Sequence, residues 1–214
     1  MLLSCRSLVI SLLALTLTAS ASEANGAFPG VMQPDCPDQT QTALNGCAAD
    51  WERAASARRQ DVYGALEGST FSGELNTLQT AEFTWQAFES TYCALISHGY
   101  RGGTIYPLIL SSCRAERHNE RTVALTQWTP EVLPDYFTVL PQLEGAYEAA
   151  LADASFRVQA GLPSNQMLWE TYRNQHCTWE VGQYAEEPNL GEGDRLNRCF
   201  ARLTRQRIEQ LRLL

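Results

Sequence analysis

Two stretches of the chain decide its fold: WQAFESTYC at residues 85–93 and WETYRNQHC at residues 169–177. Each has a tryptophan, an aromatic side chain three residues later and a cysteine eight residues after the tryptophan. Apolar side chains three and four residues apart share one face of a helix. Leu75, Leu78 and Leu95 extend this spacing around the first stretch. The pattern therefore predicts a helix from near Gly73 to near Gly99, and the second stretch predicts its repeat.

The repeat extends in both directions from these stretches. At an offset of 84 residues Leu78 aligns with Leu162, and at an offset of 86 residues Cys113 aligns with Cys199 and Arg121 with Arg207. The two extra residues fall between the cysteines of the second copy, where a loop tolerates insertion. We predict two tandem copies, residues 22–128 and 142–214, with the proline-containing segment 129–141 (Pro130, Pro134, Pro141) as the linker.

The remaining helices follow from the same periodicity. We predict them at residues 39–66 and 108–128 in the first copy, and at 142–160, 164–181 and 194–214 in the second. Ser164 and Asp194 have the residue types of N-caps. No alternating strand pattern of useful length is present. The sequence therefore predicts an all-α protein of two tandem, disulfide-stapled helical-hairpin or three-helix repeats.

The N-terminus predicts export. Arg6 precedes an apolar run at residues 8–17, and Ala19-Ser20-Ala21 supplies the small residues of a cleavage site, so residues 1–21 are predicted to be a signal peptide. A membrane anchor would need about 20 apolar residues, and a lipidated cysteine would follow the run, whereas Cys5 precedes it. We expect a periplasmic or secreted protein without stable membrane insertion after cleavage.

The seven cysteines agree with export. Loss of Cys5 leaves an even number, as complete disulfide pairing requires. The simplest pairing consistent with the repeat is Cys93–Cys113 and Cys177–Cys199, with Cys36–Cys47 left over. Tetrahedral zinc is the alternative, but no Cys-x-x-Cys spacing exists.

The chain has 16 basic residues, all arginine, and 24 acidic residues. This excess of acid disfavours nucleic acid as a partner.

The phrase at residues 169–177, followed by Cys199, Arg207 and Leu211, resembles the LprI-like domain, named after a mycobacterial lysozyme inhibitor. The first copy matches with Trp85, Phe88, Cys93, Cys113 and Arg121, and adds the family's N-terminal cysteine pair as Cys36 and Cys47. There are three departures: Glu89 replaces the arginine that Arg173 supplies in copy two, residues 56–60 lack the family's Asp-x-Glu-Leu-Asn phrase, and copy two lacks the first cysteine pair. The resemblance implies an exported helical protein of a Gram-negative envelope.

Most of the motif residues are predicted to be structural. Trp85, Trp169, Phe88 and Tyr172 lie on apolar helix stripes, which favours core packing over a ligand platform. Arg121 and Arg207 are placed to pair with a carboxylate or to cap a neighbouring helix. Four arginines share a face of the last helix and are predicted to pair with acidic side chains, with an anion-binding patch as the alternative: Arg195, Arg198, Arg202 and Arg205.

Candidate partner-binding residues lie between the paired cysteines. Tyr100 and Arg101, beside His98 and three glycines, are hot-spot residue types on a segment closed by the predicted Cys93–Cys113 disulfide. We hypothesise that they enter the cleft of a lysozyme; an exposed turn with no partner is the alternative. The corresponding segment of copy two holds Trp179 and Tyr184 among acidic residues, and is predicted to attract a cationic partner.

The sequence contains no recognisable chemistry. His98, His118 and His176 lack metal-ligand spacing, so we assign no metal and no cofactor. No nucleophile motif, phosphate loop or lysine is present, and we predict that the protein is not an enzyme. The sequence favours an exported binding protein, with lysozyme inhibition as the first hypothesis. The alternative is a structural or adaptor module of the cell envelope that binds another envelope protein.

Overall fold

The computed structural model describes residues 28–36, 40–126, 134–153, 155–183 and 191–214. Within these ranges the chain forms six α-helices and one short 3-10 helix, and no β-strand. The helices are α1 (Gln41–Ser69), α2 (Ser72–Ile96), α3 (Tyr106–Thr126), α4 (Tyr136–Asp153), α5 (Phe156–Gln183) and α6 (Glu192–Leu211). The prediction of an all-α fold is confirmed. No helix of the described ranges is both long and apolar enough to cross a membrane.

The ends of α1 show how local sequence sets a helix boundary. The hydroxyl of Thr40 accepts a hydrogen bond from the backbone N–H of Ala43 at 3.3 Å, which caps the first turn. At the other end Thr70 has extended backbone, and its hydroxyl donates to the carbonyl of Leu66 at 2.7 Å. Between these caps Trp51 and Ala55 are buried, and this face of α1 packs against α3.

Helices α2 and α5 form an antiparallel pair at the centre of the molecule. The hydroxyl of Thr84 donates to the side chain of Gln175, and the rings of Phe88 and Tyr172 stack with centroids 6.3 Å apart. Nearer the C-terminal end of α2, Leu95 lies against Gly161. Residue numbers thus rise along α2 as they fall along α5. Phe88 and Tyr172 are equivalent in the repeat, so a pseudo-twofold axis passes between them.

The hydrophobic core is shared by the two copies. Trp85 and Phe88 of the first copy and Trp169 and Tyr172 of the second are all at most 4% exposed and belong to one contiguous cluster. The motif aromatics are therefore core residues. A buried cluster that spans both copies means that each copy supplies part of the apolar surface that the other must cover.

The remaining helices lie on one side of the α2–α5 pair. From α3, Arg121 reaches Glu82 on α2 and Tyr172 on α5. From α6, Arg207 reaches Asn165 on α5 and lies over the ring of Phe88 on α2. Helix α1 packs mainly on α3, and α4 mainly on α6. The opposite side of the α2–α5 pair therefore has no helix against it in the described part of the chain.

Three disulfides are present: Cys36–Cys47, Cys93–Cys113 and Cys177–Cys199. They are the pairs that the repeat predicted. The second joins the end of α2 to α3, and the third joins α5 to α6, so each links two consecutive helices. The bonded cysteines are separated by 11, 20 and 22 positions in the sequence, so each bond stabilises the fold by about 3 kcal/mol in the chain-entropy model.

Two prolines were misinterpreted as breaks. Pro141 was assigned to the linker, but it lies inside α4, which begins at Tyr136 and not at residue 142. Pro163 was expected to precede a helix start, but it lies inside α5. A proline within a helix costs about 3 kcal/mol. Both are exposed, and burial of neighbours such as Val139 and Leu162 offsets this cost.

The predicted N-caps of the second copy were also wrong. Ser164 lies within α5, because α5 begins at Phe156 and not at residue 164. Asp194 lies in the first turn of α6, whose N-cap is Gly191. Acidic residues in a first turn interact favourably with the helix dipole, so Asp194 marks the helix start without capping it.

An extended N-terminal segment, residues 28–36, crosses α1 and α3. The side-chain amide of Asn119 makes two hydrogen bonds to Val31: its Oδ1 accepts from the backbone N–H and its Nδ2 donates to the carbonyl, each at 2.8 Å. Trp51 Nε1 donates to the same carbonyl at 3.0 Å. A Cβ atom on Gly30 would lie 2.7 Å from Asn119 Oδ1, so a larger residue there would force the Asn119 side chain to shift. We refer to this segment as the N-terminal strap.

Candidate functional site

The segment between α2 and α3, residues 97–105, is a chain of tight turns. The backbone N–H groups of Tyr100, Arg101 and Gly103 donate to carbonyls three residues earlier, at 3.0 to 3.2 Å. Gly102 has φ +82°, in the left-handed region that favours glycine. Asn45 of α1 donates to the carbonyl of Thr104 at 2.9 Å. Together with Cys93–Cys113, these bonds fix the backbone; we call residues 97–105 the tip segment.

The tip segment presents the side chains that the sequence predicted there. Tyr100 is 45% exposed and Ile105 is 37% exposed, while Arg101 is exposed and His98 is half-buried. Tyr100 ends the short 3-10 helix His98–Tyr100, and Arg101 follows it directly. An aromatic ring and a guanidinium therefore project side by side from backbone that is already ordered, so little conformational entropy is lost when they bind a partner.

The second predicted partner segment differs from its prediction. Trp179 was expected to be exposed to a partner, but on α5 it is 1% exposed and packed with Leu78 and Leu125. Helix α5 continues for more than one turn past Cys177, which turns this side chain into the core. A buried tryptophan cannot contact a partner protein, so Trp179 is removed from the candidate set. Tyr184 lies outside the described residues.

The tip segment and the C-terminal end of α5 lie at opposite ends of the α2–α5 pair. The tip segment follows the C-terminal end of α2, close to where Leu95 meets Gly161. Helix α5 ends at Gln183, whose amide donates to Glu74 at the start of α2. The 25 residues of α2 span about 37 Å, which separates the tip segment from the end of α5.

Each copy has a fully buried arginine on its third helix, and in the first copy this residue is Arg121. Arg121 is fully buried; its Nε donates to Glu82 Oε2 at 2.9 Å and its Nη1 donates to the hydroxyl of Tyr172 at 3.2 Å. Glu82 is also paired with Arg59 of α1. At Arg121 burial lowers the pKa, but Tyr172 and Glu82 outweigh burial, so its pKa is raised above its usual value. Arg121 therefore remains charged at neutral pH.

The equivalent arginine of copy two has neutral partners. Arg207 donates to Gln166 Oε1 through Nε at 2.9 Å and to Asn165 Oδ1 through Nη2 at 2.8 Å. Burial lowers the pKa of Arg207 to about 10. Both buried arginines lie over aromatic rings, Arg121 over Tyr172 at 5.0 Å and Arg207 over Phe88 at 5.3 Å. The arginines of the motif thus link the two copies instead of forming a binding site.

The position that departs from the family pattern also differs between the copies. Glu89 is buried, lies 3.8 Å from Arg114, and has its pKa raised by burial. Its equivalent, Arg173, lies over the rings of Trp169 and Phe200, at 4.9 Å from each. An ion pair in copy one thus replaces a cation–π contact in copy two. Both arrangements connect the central helix to the third helix of the same copy.

One group of side chains has the composition of a metal site. Ligand atoms of His176, Glu180 and Cys199 lie within 4.8 Å of one another. However, the sulfur of Cys199 is bonded to Cys177, and the carboxylate of Glu180 pairs with Arg202. His176 Nδ1 lies 3.0 Å from Arg121 Nη1. The thiolate that such a site would need is absent, and two cations lie beside it, so this group does not fit a metal ion.

The side chains that accept hydrogen bonds from the buried arginines were not predicted from the sequence. Glu82 and Gln166 align at the same offset as the tryptophans, and this alignment was the available indication of a shared role. Arg59 and Asn119 had no counterpart in the repeat, so the pattern contained no sign of their contacts. Of the four arginines on α6, Arg202 is buried and paired with Glu180, as the prediction of intramolecular pairing requires.

The fold and the tip segment define a two-copy, disulfide-linked helical protein whose exposed features are suited to binding. The chain belongs to the family described as lysozyme inhibitor LprI, whose model matches residues 34–125 and 136–211. It is 30% identical over 125 residues to an uncharacterized protein of Rhizobium meliloti (strain 1021), covering 52% of this chain and 88% of the relative. The disulfides and the family fit an extracytoplasmic protein.

A solved structure shares the architecture. The crystal structure of an uncharacterized protein from Burkholderia thailandensis superposes with a TM-score of 0.58, covering 81% of this chain and 87% of the other. The two sequences are 16% identical. The likeness therefore shows that the two proteins have the same fold.

Proposed function

We propose that this protein is an exported, non-catalytic inhibitor that blocks a lysozyme by placing its tip segment in the enzyme's substrate cleft. The observation that carries the proposal is the exposure of Tyr100 and Arg101 on backbone fixed by turns, by Asn45 and by a disulfide. Membership of a family described as lysozyme inhibitors supports this choice of partner.

The chemistry of the two side chains suits such a cleft. Lysozymes cleave glycosidic bonds with two carboxyl groups that flank the scissile bond. A guanidinium pairs well with carboxylates because its N–H donors form a planar fork, and Arg101 is exposed at the end of the turn. Tyr100 supplies apolar area and a hydroxyl, the combination that is enriched in binding hot spots. His98 supports the turn through its carbonyl, which accepts from the Arg101 N–H at 3.2 Å.

The charge of the chain favours a cationic partner. The formal net charge is −8, and the exposed residues Glu192 and Asp194 lie at the end opposite the tip segment. We assign this acidic end, together with Tyr184, which precedes it in the sequence, to attraction during approach and not to contact in the cleft. The association rate with a cationic lysozyme is then expected to fall steeply as salt rises from low to physiological concentration.

The test is inhibition of a hen-type lysozyme by the oxidised mature protein, with Tyr100→Ala/Arg101→Ala as the variant. We expect stoichiometric inhibition by the wild type and a loss of at least about 100-fold in affinity for the double variant, corresponding to two hot-spot contacts. The matched control is Phe71→Ala/Arg53→Ala, which removes an exposed aromatic and an exposed arginine elsewhere. Equal inhibition by the two double variants would contradict the role of the tip segment.

A further inference from the structure

The side of the α2–α5 pair that faces away from the other helices is nearly free of charge. It consists of the α2 positions in helical register with Phe83, from Ser72 to Ala94, and the α5 positions in register with Met167, from Ala160 to Thr178. All of them are exposed or half-buried. Among these described positions Glu170 alone is charged. We call this surface the outer face.

Such a composition is unusual for a surface that only meets water. Soluble domains carry a charged residue at about one in three or four surface positions. This chain has 40 charged residues in all, 16 basic and 24 acidic. Depletion of charge is instead typical of the centre of a protein interface. The outer face therefore has the composition of a covered surface.

The outer face also has its own approximate twofold symmetry. Because α2 and α5 are antiparallel and equivalent in the repeat, each position on one helix has a counterpart across the pseudo-twofold axis. Three of these pairs have similar side chains: Thr80 and Ser164, Phe83 and Met167, and Ser90 and Asn174. Phe83 is 74% exposed and Met167 is 62% exposed. Two apolar side chains thus project at symmetric places from a polar but uncharged surface.

We propose that the outer face is the interface through which two copies of this protein form a dimer. A twofold dimer brings the same patch of both subunits together, so the patch must be complementary to itself. Amides and hydroxyls meet this condition because each donates and accepts hydrogen bonds. The projecting Phe83 and Met167 pack beside the small side chains of Ala87 and Ser90, as ridges enter grooves between helices.

Charge and area both favour a second copy as the occupant. Two copies that each carry a net charge of −8 repel one another least through a face with almost no charge, whereas a cationic partner would be attracted to acidic surface elsewhere. From Ser72 to Ala94 the face is about 30 Å long and two helices, or about 20 Å, wide. It would bury about 1,200 Å² in total, at the lower limit for specific interfaces.

The test is sedimentation velocity of the oxidised mature protein from about 1 to about 200 μM, a range that brackets a micromolar dissociation constant. We expect the dimer fraction to rise across this range. Phe83→Arg and Met167→Arg each place a charge in the interface, and each is expected to weaken dimerisation by about tenfold or more. Phe137→Arg is the matched control, since Phe137 is 75% exposed on α4 and outside the outer face; it should leave the dimer unchanged.

Circular dichroism and thermal unfolding check that the variants are folded, and Ser90→Arg, at an exposed polar position, is a second probe that removes no apolar contact. A wild-type protein that stays monomeric throughout the range overturns the proposal and leaves the face to a different protein. A dimer that survives Phe83→Arg, Met167→Arg and Ser90→Arg, or one that Phe137→Arg weakens equally, also overturns it, because its interface then lies elsewhere.

Discussion

Arg121 Nε donates to Glu82 Oε2 at 2.9 Å, and the second copy reproduces this bond at the same distance with Arg207 and the neutral Gln166. The copy with the carboxylate has an additional cation, since Arg59 pairs with the other oxygen of Glu82. Glu82 therefore lies between two buried guanidinium groups. In both copies this hydrogen bond links the central helix, α2 or α5, to the third helix of the same copy. The acceptor is charged in the first copy and neutral in the second.

Replacing Glu82 by glutamine tests what that charge contributes. Glu82→Gln keeps the shape and one acceptor, as in copy two, but leaves Arg59 and Arg121 buried without an anion. Removing one partner of a buried ion pair costs about 3–5 kcal/mol, and we expect a loss of this size in the free energy of unfolding measured with urea.

The matched control breaks an ion pair that solvent already screens. Asp50 and Arg53 pair on the surface of α1 with side chains 68% and 75% exposed. Asp50→Asn should change the free energy of unfolding by less than about 1 kcal/mol. If Glu82→Gln were as mild as Asp50→Asn, the buried cluster would not depend on its carboxylate.

Two histidines, the buried His176 and the half-buried His118, are expected to make the protein less stable in mild acid. Burial lowers the pKa of His118 and of His176 to about 4, from 6.5 in the unfolded chain. Between these values the unfolded state binds more protons, so stability falls as the pH drops below about 6.5 and levels off near pH 4. From pH 7 to pH 5 His176 should contribute a loss of about 2 kcal/mol, and the half-buried His118 a smaller loss because solvent screens it in part.

The measurement compares urea unfolding at pH 7 and pH 5 for the wild type and for His118→Asn/His176→Asn. The comparison is needed because burial raises the pKa of Glu89 and Glu120, and raised carboxyl pKa values act in the opposite direction as the pH falls. Both proteins retain these carboxyls, so their contribution cancels in the difference. A variant as sensitive to acid as the wild type would show that the histidines are not responsible.

The parts of the fold that the sequence predicted are those in which one pattern dominates. The stripe that contains Trp85 and Phe88 places α2, and the aligned cysteines place the disulfides that the structure contains. The start of α4 was missed because Pro141 is normally a strong indication of a break, while burial of Val139 and Leu143 continues the helix through it. Local propensity was overridden there by packing.

The candidate site was predictable in its residues but not in its placement. Tyr100 and Arg101 could be identified from their residue types, and glycines around them indicated a turn. Trp179 was misassigned because it lies within the predicted helix 164–181, and its side chain is buried with Leu78 and Leu125. That the tip segment and the C-terminal end of α5 lie at opposite ends of the α2–α5 pair follows from the antiparallel packing of these helices.

The N-terminal strap should depend on a single amide. Asn119→Ala removes both hydrogen bonds to the backbone of Val31, and each such bond contributes about 1 kcal/mol. We expect the strap to open locally and to become sensitive to limited proteolysis at residues 28–36 while the helices remain folded. Asn76→Ala, at an exposed position of α2, is the control; similar cleavage rates in both variants would assign the strap's position to Trp51 and Cys36–Cys47.

Neither copy is expected to fold as a stable unit alone. A fragment of residues 22–128 exposes Phe88 and Tyr92, which α5 and α6 otherwise cover, and it removes Tyr172 and His176 from the side chain of Arg121. Burying one large apolar side chain contributes about 1.5–3 kcal/mol, so losing several contacts of this kind removes most of the stability of a domain of ordinary size.

The fragment's disulfides make this prediction stringent, because the bonds Cys36–Cys47 and Cys93–Cys113 restrict the unfolded chain and would assist independent folding. We expect the oxidised fragment to keep helical circular dichroism but to lose the near-ultraviolet signal of Trp85 and to exchange its amides quickly. Adding a fragment of residues 134–214 should restore both signals. Cooperative unfolding of the first fragment alone, with a midpoint near that of the whole chain, would instead mean that the shared core joins two domains that are each complete.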